Sequence, residues 1–125
     1  MTKQEIYNKI LDITAEVCNV SATDIKDGSR RYDVVIARSI CIFWADNAGF
    51  SVESLLACTD REHHNSIHSI KAKIEEYWTE LFAYHMLVTE VGKRLLDYAN
   101  SIGEDFDMYK PIRRIAYITG KYMPK

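Results

Sequence analysis

A chain of 125 residues with 47% hydrophobic and 27% charged side chains has apolar mass for one core and too little for two, so one compact domain with an appended element is expected. The formal charge of −2 excludes a uniformly basic binder, yet its sign is segregated: +2 over residues 26–38 and 61–74, +5 over 108–125 and −6 over 75–107, which can leave one face suited to a polyanion. Cys18, Cys41 and Cys58 form no CxxC pair and no stretch approaches 18 apolar residues, which argues against a disulfide framework and a membrane span and for a soluble, cytoplasmic protein with reduced thiols.

Two prolines, at 111 and 124, and five scattered glycines leave long helices unobstructed and strands without turn signals, so the expected fold class is all-α. Ile6, Ile10, Ile13 and Val17 recur at helical spacing behind Thr2, a candidate N-cap, and predict an amphipathic helix over 3–17. "SATDI" at 21–25 suits one short turn. Ser29 or Asp33 can open the next helix, in which Val35, Ile36, Ile40, Phe43 and Trp44 give the broad apolar face of a central core helix, before Asn47 and Gly49 end it.

"SVESLLAC" follows, with Ser51 as N-cap and Leu55 and Leu56 facing in, and only two turns fit before the polar "TDRE". Ile67, Ile70, Ile74, Trp78 and Leu81 then mark a longer helix with one inward stripe. A short helix, a tight polar turn and a longer helix are the outline of a helix-turn-helix, here ending near residue 78. Beyond it, Val88, Val91, Leu95, Tyr98 and Ile102 alternate spacings of three and four, which suits packing against another helix, with Gly103 as its cap. Residues 79–125 are therefore expected to form a helical extension for oligomerisation or partner binding, a homodimer among the options. Its last helix is basic and runs from Pro111 to Ile118.

Chemistry concentrates in "DREHHNSIHSIKAKIEEYW", residues 60–78. A helix N-terminus offers free N–H groups and the positive end of the dipole, which favour phosphate, while short polar side chains there reach base edges. Asn65 can pair bidentately with adenine, His64 can donate to a purine acceptor, His68 can meet a base or a phosphate, and Lys71 and Lys73 can follow the backbone. Arg30, Arg31 and Arg38 are candidate phosphate or minor-groove contacts, with pairing to Asp27 and Asp33 as the plainer reading; Arg38 suits phosphate more than base. His64 and His68 also stand at the i, i+4 spacing that can hold zinc, but a third ligand would have to come from His85 or an acidic residue. No metal or cofactor is expected, nor an enzyme: Cys58 on a short buried helix is a poor nucleophile, and "VGKRLL" at 91–96 lacks the rest of a nucleotide-binding loop.

A resemblance runs through these motifs in order. "VSATDI" after the first helix, the basic "SRR", the apolar "VVIARSICIF", the helix-opening Ser51 and "HHNSIHSIKAKIE" together resemble the C-terminal DNA-binding domain of the bacterial replication initiator DnaA, a helix-turn-helix domain of the Trp-repressor-like group. The likeness covers residues 1 to about 76. In that family an arginine before the core helix enters the minor groove and an Asp-His-Thr signature reads the major groove. The resemblance therefore implies that Arg30 is the minor-groove residue and that His63, His64 and Asn65 take the reading positions, with Ser66 and Ile67 in place of Thr and Val. The family's Gly-Gly-Arg-Asp is Asp60-Arg61-Glu62-His63 here, so one basic contact has become acidic and the acidic reader has become His. Arg61 remains a basic side chain beside the readers.

The expected function is double-stranded DNA binding without ATPase activity, in a replication-related or regulatory role. The alternative is a helical protein–protein interaction module that keeps the fold and has lost DNA binding, which Glu62 and the −6 segment favour.

Overall fold

The computed structural model describes residues 2–59 and 64–101. Among them six helices follow one another and no strand occurs, as the all-α expectation holds: α1 (Lys3–Cys18), α2 (Ala22–Lys26), α3 (Tyr32–Asn47), α4 (Val52–Thr59), α5 (His64–Glu80) and α6 (Phe82–Ser101).

Local chemistry sets the ends of these helices. Thr2 Oγ1 accepts from Glu5 N at 3.1 Å, the expected N-cap of α1. Asn19, in the left-handed region at φ 56°, closes it, with Val20 N donating to Ala15 O at 3.0 Å and Asn19 N to Glu16 O at 3.3 Å. Ser21 Oγ opens the single turn of α2 by accepting from Thr23 N. Neither Ser29 nor Asp33 caps α3, however. The cap position falls to Arg31, which makes no side-chain cap bond, while Ser29 Oγ accepts from Arg31 N and Asp33 Oδ1 from Val34 N. At its other end Gly49, at φ 97°, lets Phe50 N reach Ala45 O at 3.1 Å and turns the buried Phe50 back onto the core.

All residues of α3 from Ala37 to Ala45 are buried, because this helix packs against each of the other five. A helix surrounded by partners has no face left for water and reads apolar nearly all round. Around it Ile10 and Leu11 of α1, Leu55 of α4, Ile67 of α5 and Val91 and Leu95 of α6 close one shared core.

The last of the described helices, α6, departs from expectation. Val88, Val91 and Leu95 do not wait for a second copy: each is at most 2% exposed within this chain. Trp44 Nε1 donates to Val88 O at 3.1 Å, Ser39 Oγ and Tyr84 OH lie 2.9 Å apart, and Arg94 Nη1 meets Glu16 Oε1 at 3.0 Å. The Lys9 ammonium sits 4.5 Å from the centroid of the Tyr98 ring. A boundary at residue 78 thus runs through a single core rather than between two, and α6 belongs to the domain. Ile102, the Gly103 cap and the basic helix expected over 111–118 lie outside the described residues.

Between α5 and α6 the chain turns at Leu81, whose N–H still donates to Tyr77 O at 2.9 Å. His85 Nε2 lies 2.8 Å from Trp78 O, satisfying a last-turn carbonyl that the break of the helix would orphan. Its ring also packs on Trp78, with centroids 4.1 Å apart. Cys41 is fully buried and Cys18 and Cys58 partly so, all three free. Burial pushes the Cys41 thiol up to about 12 and the Cys18 thiol up to about 11.

Candidate nucleic-acid interface

The α4–α5 pair is held to the body by Leu55 and Ile67, both fully buried. Ser51 Oγ accepts from Ser54 N at 3.2 Å and so caps α4, a role that occupies its hydroxyl at the helix start. Arg61 and His63 fall outside the described residues. His64, Asn65 and Ser66 contribute the helical backbone that starts α5, and their side chains lie outside what is described.

Further along α5 the exposed face divides in two. His68, Ser69, Ala72 and Lys73 are exposed on its first half, which carries no carboxylate among the described side chains; Glu75, Glu76 and Glu80 are exposed on its second. The N-terminal half also holds the positive end of the helix dipole. Its two lysines are engaged locally. Lys71 Nζ lies 2.9 Å from Asp46 Oδ1 at the end of α3, and Lys73 Nζ 3.0 Å from Glu76 Oε2, whose hydrogen bond holds that ammonium above its usual range. Both pairs are partly exposed and so can exchange for phosphate at small cost.

The three arginines have separate fates. Arg30 is exposed on the loop between α2 and α3. Arg31 is exposed too, but lies 3.3 Å from Asp33 Oδ1 and 3.6 Å from Asp24 Oδ2. Arg38 corrects the expectation of a phosphate contact: it is 8% exposed, its Nε donates to Ile25 O at 3.1 Å, and its Nη2 donates to Ser29 O at 3.1 Å and Asp24 O at 3.4 Å. A guanidinium is a fixed fork of donors, and here the fork ties two carbonyls of α2, those of Asp24 and Ile25, to that of Ser29 in the loop that follows. Arg38 therefore positions the loop that presents Arg30.

Asp46 had no signal in the sequence. It stands 25 residues before Lys71, and only the crossing of α3 over α5 brings the two together. His85, considered above as a zinc ligand, is committed to Trp78 O, and no group of three His, Cys, Asp or Glu side chains suited to a metal occurs among the described residues. No described helix is long and apolar enough to cross a membrane. Comparison with protein-family models, curated proteins and solved structures finds no match to the chain.

Proposed function

We propose that this protein binds double-stranded DNA through α4 and α5, with the N-terminal half of α5 in the major groove and Arg30 reaching the adjacent minor groove. The observation that carries the reading is the division of α5: the half that would enter the groove exposes His68, Ser69 and Lys73, and the carboxylates begin only at Glu75. DNA repels carboxylates, so a groove-reading helix concentrates them at the end that stays outside. Arg38 supports the second contact, because its bonds to Ser29 O in the loop and to Asp24 O and Ile25 O in α2 anchor the segment before Arg30, which leaves less entropy to lose on binding.

Fluorescence anisotropy with a duplex carrying a DnaA-type box, and with a scrambled duplex of equal length, tests this across a salt series. Binding whose affinity falls as salt rises is expected; a preference for the box would mean that its recognition is inherited, and equal binding to both duplexes that the preferred site differs. Arg30→Ala and Asn65→Ala should each cost about 1–3 kcal/mol, concentrated on the preferred site. Asp46→Asn, which frees Lys71 from its pair, should strengthen binding to both duplexes and steepen the salt slope by about one. Absence of binding to either duplex at low salt would sink the proposal.

A second reading, a helical protein–protein interaction module, is favoured by one fact: both lysines of α5 already have carboxylate partners. Under it, Asp46→Asn leaves DNA affinity undetectable.

A further inference from the structure

The seam on which α3 and α5 pack is not closed along its whole length. A cleft of ≈310 Å³ opens there, walled by Val35 and Arg38 of α3 and by Ser69, Ile70, Lys73 and Tyr77 of α5. Val35 and Arg38 stand three apart, and Ser69, Lys73 and Tyr77 four apart, so each set shares one face of its helix. The volume lies at the small end of those that take small molecules, about 300–1,000 Å³.

Two hydroxyls in this cleft are not absorbed by the fold. Tyr77 is 8% exposed, yet its hydroxyl makes no hydrogen bond to a described residue. Among the described side chains no N or O atom shut off from the surface lacks a partner, so this hydroxyl is one that the cleft reaches. Ser69 Oγ likewise makes no hydrogen bond to a described residue. A buried tyrosine hydroxyl ordinarily has a partner, and one that faces a cleft marks a ligand position.

The cleft is also cationic. Arg38, 8% exposed, stands in its floor, and its bonds to the carbonyls of Asp24, Ile25 and Ser29 occupy N–H groups without cancelling the charge. Lys73 stands at the mouth, where its 3.0 Å pair with Glu76 is exposed and exchanges at small cost. No carboxylate is among the described walls. Two cations and two hydroxyl donors repel a metal ion and suit an oxyanion.

We propose that this cleft binds a small organic oxyanion, a carboxylate or a phosphate carried on an apolar body. The oxyanion sits between Arg38 and Lys73 and accepts from the hydroxyls of Ser69 and Tyr77, while the body packs against Val35 and Ile70.

An NMR titration of the 15N-labelled chain with benzoate, with phenyl phosphate and, as the uncharged control, with benzyl alcohol tests this at constant ionic strength and separates the two acids. Saturable shifts are expected at the α3 and α5 amides that wall the cleft, from at least one anion and not from the alcohol. Tyr77→Phe, which keeps the ring packed on Tyr84, and Ser69→Ala should each weaken that binding about tenfold, the loss of one hydrogen bond to a charged group. Three outcomes overturn the proposal: no saturable shifts at millimolar anion, equal shifts from benzyl alcohol, or affinity unchanged in both hydroxyl variants. The readout contains no DNA, so neither proposal falls with the other.

Discussion

Arg38 is the residue whose role the sequence disguised most. In the string "VVIARSICIF" a cation amid apolar residues resembles an exposed contact, since burying a charge is costly unless its donors are all met. The carbonyls of Asp24 and Ile25 in α2 and of Ser29 in the following loop accept three hydrogen bonds from it, 9 to 14 residues away, where no periodicity places them. Arg38→Met, which keeps the aliphatic stem and removes the fork, should cost about 2–4 kcal/mol in urea unfolding, because it removes one buried and two partly buried hydrogen bonds made by a charged donor. Arg38→Lys should recover only part of it. Wild-type stability in Arg38→Met would mean that the loop holds itself. Arg30, by contrast, was legible as exposed from its polar surroundings in "DGSRRYD".

At the scale of elements, most helices were legible because their apolar residues recur at helical spacing and their starts carry capping side chains, as Thr2, Ser21 and Ser51 do. Ser51→Ala should accordingly cost about 1 kcal/mol of stability. The stripe of Val88, Val91 and Leu95 was equally legible as a stripe, but not its partner. Periodicity says that a face will be buried and is silent about what buries it; α1 and α3 do so here. Leu95→Ala should therefore destabilise the whole domain by about 2–5 kcal/mol, with one cooperative transition seen alike by far-UV circular dichroism and tryptophan fluorescence. Two separate transitions would show α6 to be an independent appendage. The division of α5 at Glu75 was present in the sequence, but the engagement of Lys71 by Asp46 was not, because that pair exists only where two helices cross.

For the molecule as a whole, one core makes buried protonated groups a collective property. Burial raises the Cys41 and Cys18 thiols from 9.0 to about 12 and about 11, and it raises the Tyr84 hydroxyl as well. An acid whose folded pKa is raised stabilises the fold fully below its unfolded pKa and loses that contribution as pH climbs towards the folded value. Under reducing conditions the thermal midpoint should accordingly hold between pH 7 and 8 and fall from about pH 9 upward; a midpoint unchanged at pH 10.5 would contradict the burial. The sequence by itself determined the all-helical class, the order of the helices and the inward stripes of the amphipathic ones, because spacing, capping residues and scarce proline act over a few turns of chain; in α3 it is Val34, not Val35 or Ile36, that is fully buried. Only the tertiary structure decided that α6 closes the same core as α1 and α3, that Arg38 is a clamp and that Lys71 is paired. Those outcomes depend on residues from 9 to 78 positions apart meeting in space, and no local pattern encodes such a meeting.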